Sequence, residues 1–101
     1  MLVLPIKKKW FDMILSGEKL EEYREIKPYY ISRFQKLWQG SLIGGKAERN
    51  ILFRNGYGNA APTFKATVTL TEGEGKEEWG AVPGKKYFIL QIKRIDRKEL
   101  S

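Results

Sequence analysis

Hydrophobic and polar positions alternate most cleanly over residues 63–71, TFKATVTLT. Phe64, Ala66, Val68 and Leu70 fall on one face, and Thr63, Lys65, Thr67 and Thr69 on the other. A period of two predicts a half-exposed antiparallel strand. Residues 86–95, KYFILQIKRI, are the most continuous apolar run and predict a central strand. Residues 2–7, LVLPIK, put Leu2, Leu4 and Ile6 on one face and predict a first strand. Pro5 has no N–H, so that strand should have an unpaired side. Residues 49–54, RNILFR, predict another strand, and residues 19–26 a further, polar one.

The pattern changes to spacings of three and four at residues 8–16, KKWFDMILS. Trp10, Met13 and Ile14 share a stripe, as do Phe11, Ile14 and Leu15, which predicts a short helix. Gly17 suits the left-handed residue that ends it. Pro28 permits a second helix start, and residues 29–38 follow with Tyr30, Phe34, Leu37 and Trp38 on one stripe. Residues 39–48, with three glycines, predict a flexible crossing. Residues 55–62, NGYGNAAP, and 72–85, EGEGKEEWGAVPGK, predict loops. Residues 96–101 are expected to fray.

Five strands and two short helices near the N-terminus predict an α+β fold. So many two-faced strands close most readily into a small five- to six-stranded, mainly antiparallel β-barrel, because closure removes exposed edges. Residues 1–101 contain no repeat and no linker, and 101 residues fit a single domain.

Composition narrows the chemistry. The chain has no cysteine and no histidine. Disulfides and thiol chemistry are excluded, and the commonest metal ligand and general base are missing. No metal site and no cofactor are expected. No apolar run reaches a membrane-spanning length, and MLVLPIKKKW has the wrong charge order for a secretory signal. A monomer in the cytoplasm is the expected setting. The formal charge is +7, from 19 basic and 12 acidic side chains. Residues 1–50 carry 10 basic and 6 acidic groups, residues 51–101 carry 9 and 6, so no basic tail exists. That balance favours a polyanionic partner.

The polar segment GEKLEEYREI, residues 17–26, is the most informative one. Period two puts Leu20, Glu22, Arg24 and Ile26 on one face, and Lys19, Glu21, Tyr23 and Glu25 on the other. The apolar ends mark the first face as the barrel side. Glu22 and Arg24 then point to the interior or its mouth, about 6.5–7 Å apart at Cα. A buried charge must be paired. Two uses fit: an internal ion pair that holds the strand, or a ligand cleft. In the cleft, Arg24 offers fixed donors to a phosphate or base edge, and Glu22 accepts from an amino group.

The run Gly17-Glu18-Lys19-Leu20-Glu21-Glu22-Tyr23-Arg24 resembles the Gly-x-Lys-x-x-Glu-x-Arg motif of the ASCH domain, a relative of the PUA-like barrels. The preceding Ile-Lys, the short helix and the Leu-Ser-Gly turn agree with it, and KKYFILQIKRI resembles the family's last strand. The resemblance is specific over residues 6–24 and otherwise covers element order. It implies a PUA-like barrel and an RNA-binding cleft beside the motif. Some small members are amidohydrolases acting on N4-acetylcytidine. There a lysine matching Lys19 is the base, and a threonine three residues later is the proposed nucleophile. Here that position is Glu22, which cannot replace an attacking hydroxyl but can orient a water. If the chain is an enzyme, Lys19 and Glu22 are its catalytic candidates, for that hydrolysis or for cutting RNA.

Other groups extend the reading. Lys7 is either a phosphate contact or part of a solvated basic turn, and Lys8 and Lys9 are surface residues. Trp10, Phe11 and Trp38 are assigned to the core. Tyr29 or Tyr30 is placed to stack on a base. Arg49, Arg54, Asn55 and Tyr57 lie on or just past a strand, with glycines that allow close approach. They form a second expected ligand edge, although no phosphate-loop fingerprint is present. Glu72, Glu74, Glu77 and Glu78 form an acidic loop that an RNA path should avoid. The expected ligand set is Lys7, Lys19, Glu22, Arg24, Arg54, Asn55 and Tyr57. The expected function is RNA or nucleotide binding, with hydrolysis and a structural or protein-interaction role as the alternatives.

Overall fold

Phe88 and Leu90, two neighbours on the most apolar strand, anchor a core on one face of a mixed sheet. The computed structural model describes residues 1–40 and 46–97. In chain order the elements are β1 (Val3–Ile6), α1 (Lys8–Leu15), β2 (Glu21–Glu25), α2 (Pro28–Leu37), β3 (Arg49–Asn55), β4 (Thr63–Glu74) and β5 (Lys86–Asp96). A 3₁₀ turn, Glu77–Trp79, sits between β4 and β5. Of the flexible crossing expected at 39–48, residues 41–45 lie outside the described residues, as do residues 98–101 of the frayed end.

The five strands form one sheet in the order β1-β3-β4-β5-β2. β1 runs parallel to β3, and every other pair is antiparallel. On β4, Phe64, Ala66, Val68 and Leu70 are buried as the alternation predicts, but Thr69 on the opposite face is buried too, where its hydroxyl donates to Gln91 Oε1 at 2.8 Å. β4 runs three residues past the expected end, because Glu72, Gly73 and Glu74 pair with Phe88, Tyr87 and Lys86. Thus Glu72 and Glu74 belong to a strand, and only the rest of the acidic segment is a loop.

Both helices cover the same apolar face. Phe11 of α1 packs edge-on against Phe64 of β4 at 4.9 Å, and Phe34 of α2 against Phe88 of β5 at 5.2 Å. Phe11, Ile14, Phe34 and Trp38 are buried, as their stripes predict, whereas Trp10 is only half-buried. Gly17 takes φ +85°, the left-handed value that ends α1.

The sheet's ladder is open between β1 and β2, its two edges. β1 is short and parallel to its neighbour, and Pro5 brings no N–H to the free side. A side chain bridges the gap instead, since Arg24 Nη2 on β2 donates to the Pro5 carbonyl at 2.8 Å. The expected face assignment of residues 20–26 holds for Glu22 and Arg24 but not for its apolar ends. Leu20 and Ile26 are 52% and 39% exposed. Both flank the regular strand, which spans Glu21–Glu25. Among the described residues no helix is long and apolar enough to cross a membrane.

Candidate functional site

The turn after α1 delivers the first residue of the site. Lys19 N–H donates to the Met13 carbonyl at 3.0 Å, which folds the chain back before β2 begins. The Lys19 side chain therefore runs inward rather than to the face opposite Glu22, and the residue is only 1% exposed. Its Nζ donates to the Trp79 carbonyl at 2.5 Å and lies 3.2 Å from Glu22 Oε1. The rings of Trp10 and Tyr23 complete the cage, with centroids 4.8 and 4.9 Å away. Burial pushes the ammonium below its ordinary value of 10.5, and the Glu22 carboxylate opposes that shift.

Glu22 joins Lys19 to Arg24. Its second oxygen, Oε2, accepts from Arg24 Nη2 at 3.0 Å. Arg24 Nη1 donates to the Tyr30 hydroxyl at 3.0 Å. One planar guanidinium thus links β2 to β1 and to α2. Its Nε is buried and, among the described residues, has no hydrogen-bond partner. The cluster holds two cations and one carboxylate, an excess of one positive charge.

A cavity of about 430 Å³ opens above this cluster, between the ends of β1 and β2 and the starts of both helices. That size suits a small-molecule site. Glu22 and Arg24 form part of its wall, with Lys7 and Lys27 among the other lining residues. Both lysines occupy N-cap positions, and neither helix has a side-chain cap or an acidic first turn. Each acid in the lining is matched elsewhere: Glu22 by Lys19, and Glu25 by Lys85 at 3.4 Å. Among the described residues, Lys7 and Lys27 form no ion pair, and Lys27 Nζ lies 5.5 Å from the Tyr30 ring. Trp10, Tyr30, Tyr57 and Tyr87 add aromatic surface, with Tyr57 87% exposed at the lip.

Lys7, Glu22, Arg24 and Tyr57 of the expected ligand set meet at this cavity. Lys19 belongs to the cluster but stands behind Glu22, outside the lining. Arg54 and Asn55 also lie outside it. Arg54 pairs in register with Thr63, and Asn55 N–H donates to the Pro62 carbonyl, so both serve the β3–β4 connection. Arg49 is held by the Leu37 and Glu48 carbonyls. Tyr30 reaches the site, whereas Tyr29 is exposed with the Arg33 guanidinium 3.4 Å from its ring centroid. Trp10, assigned to the core, forms part of the wall because α1 turns it toward Lys19. Lys27 was discoverable as the residue before the helix-starting Pro28. Tyr87 and the Trp79 carbonyl carried no local signal, since non-local strand pairing brings them here. Among the described residues no group of acidic side chains is placed to hold a metal ion.

Compared with protein-family models, curated proteins and solved structures, the chain finds no match in any of the three.

Proposed function

We propose that this chain is an ASCH-type module that binds RNA or a nucleotide in the cavity between β1 and β2. The observation that carries the reading is the charge balance of that cavity. Lys7, Arg24 and Lys27 surround it, while both of its acids are matched by Lys19 and Lys85. Such a surplus attracts a phosphate, and the aromatic lining offers a base a stacking surface. Glu22 keeps lone pairs for an amino group beyond its two ion-pair partners.

The ASCH kinship rests on the motif residues and their uses. Gly17 makes the left-handed turn, and Lys19, Glu22 and Arg24 form one connected cluster. A PUA-like barrel is compatible with an open ladder if the Arg24 bridge stands at its joint. In this reading the chain works as a monomer in the cytoplasm. Binding is favoured over catalysis by the position of Lys19. Its ammonium is enclosed by a carbonyl, a carboxylate and two rings, so it is poorly placed as a base toward a ligand in the cavity.

The test is fluorescence anisotropy with labelled single-stranded RNA pentamers at two salt concentrations. Affinity should fall with added salt and fall again in Lys7→Ala and Lys27→Ala. Binding that ignores both variants would remove the site assignment.

A further inference from the structure

The pairing of β2 determines which of its backbone groups are free. Among the described residues, the ladder partner of β2 is β5. Ile92 N–H donates to the Leu20 carbonyl at 2.9 Å. In an antiparallel ladder directly opposed residues alternate between bonded and non-bonded pairs. Leu20, Glu22 and Arg24 therefore bond across to β5. Glu21, Tyr23 and Glu25 turn their N–H and C=O groups away from it, and Tyr23 and Glu25 line the cavity. Across the gap, the carbonyls of Leu2 and Ile6 accept from β3 and its following turn, which leaves Pro5 facing β2. Pro5 has no N–H, and its carbonyl is occupied by Arg24. Val3 also lies off the β1–β3 ladder but does not line the cavity, so at the cavity the β2 side carries main-chain donors and acceptors that Pro5 does not match.

We infer that this free edge of β2 reads a nucleobase: main-chain groups of Tyr23 and Glu25 hydrogen-bond the edge of one unpaired base seated in the cavity. The inference rests on the nucleotide reading of that cavity. A base edge presents neighbouring donors and acceptors, and the N–H and C=O of one off-ladder strand residue present the complementary pair. Glu22, on the same strand, then accepts from an exocyclic amino group. A base already paired in a duplex has that edge engaged, so the ligand is a single-stranded or free nucleotide. An extended peptide is the other chemistry that adds to a strand edge. The cationic surround and the five-residue length of β2 favour the nucleotide.

The experiment uses Glu25→Pro beside Glu25→Ala, with cytidine 5′-monophosphate as the probe. Proline removes one N–H that the ladder does not use, and an edge strand tolerates it. Alanine removes the same side chain and keeps the N–H. Glu25→Pro should bind about tenfold more weakly than Glu25→Ala, the scale of one hydrogen bond. Equal affinity of the two overturns the inference. Amide mapping of the unaltered chain keeps the test decisive if the proline variant does not fold. The probe should shift and protect the Tyr23 and Glu25 amides. Shifts at Lys7 and Tyr57 with those two amides unmoved overturn the edge contact and leave the cavity assignment standing. No shift anywhere at millimolar probe or with the RNA pentamers overturns both. Movement of the two amides by an acetylated acidic hexapeptide, and not by the probe, reassigns the edge to strand addition and overturns the inference.

Discussion

Arg24 Nη2 donates to the carbonyl of Pro5 at 2.8 Å, so a side chain of one edge strand joins the backbone of the other. The same nitrogen reaches Glu22, and Nη1 reaches Tyr30. Arg24→Ala leaves the Pro5 carbonyl without its donor and Glu22 with Lys19 alone. Breaking a buried charge pair costs about 3–5 kcal/mol, and the slight exposure of Arg24 lowers the expectation to about 2–3 kcal/mol. Urea unfolding measures it. Arg24→Lys should recover only part, because an ammonium cannot hold three acceptors in one plane. A variant as stable as the parent would show that the bridge is incidental.

Lys19 and Glu22 should be coupled. Lys19→Met leaves a buried carboxylate with one partner and should cost about 2–4 kcal/mol. Adding Glu22→Gln removes the charge left behind, so the double variant should lose less than the sum of the singles. A double-mutant cycle for groups in contact gives about 0.5–3 kcal/mol. Additive losses would contradict the shared cluster. None of these proteins, nor the parent, should release product from N4-acetylcytidine; product formed by the parent and lost in Lys19→Met would favour hydrolysis.

The ionisation of Tyr23 links stability to alkaline pH. Its hydroxyl is pushed above the ordinary value of 10.0, first by burial and also by donating to Glu21 at 2.7 Å. The folded chain thus holds this proton after the unfolded chain has released it. The Tyr23 contribution is complete below pH 10 and declines as pH rises above it. Lys19 acts in the opposite sense, because its folded value lies below 10.5 and stability grows as pH approaches that value. The stability difference between the parent and Tyr23→Phe isolates the tyrosine, and it should shrink between pH 9 and pH 11. A constant difference would mean that Tyr23 titrates alike in both states.

A methyl group at Gly75 tests the packing behind the site. A Cβ there would stand 2.5 Å from the Tyr23 ring and 2.8 Å from the Ala81 Cβ. Gly75→Ala should cost about 1–3 kcal/mol, the usual range for overpacking, and displace the Tyr23 ring. Thermal unfolding and the Tyr23 amide shift read the two effects. No change in either would mean that the loop yields freely.

Tyr57 separates binding from stability. At 87% exposure it supports little of the core, so Tyr57→Ala should keep stability within about 0.5 kcal/mol. If the ring stacks on a base, RNA affinity should fall by about 1–3 kcal/mol. Anisotropy and urea unfolding of one preparation provide both numbers.

Local pattern made much of this fold legible. Phe64, Ala66, Val68 and Leu70 alternate because one face of β4 packs into the main core, and Phe34 and Trp38 repeat because α2 presents one stripe to the sheet. Gly17 was readable because a left-handed residue ends α1. The parallel pairing of β1 with β3 was not readable, since it joins residues about fifty positions apart without a local cue. The site was half legible for the same reason. Glu22 and Arg24 follow from period two within one strand. The burial of Lys19 follows from a turn and from the Trp79 carbonyl, sixty residues away. Leu20 and Ile26 misled because they flank the regular strand instead of belonging to it.

The gap between β1 and β2 also bears on how this chain meets copies of itself. Unpaired strand edges invite other strands, and proteins commonly protect them with charge, proline or cover. Here both edges border one cavity, one of them with a proline and the other with Glu22, Arg24 and Glu25. An incoming strand would have to displace the Arg24 bridge and settle among Lys7 and Lys27. The opening that leaves room for a flat ligand is therefore also a guard against edge-to-edge polymerisation.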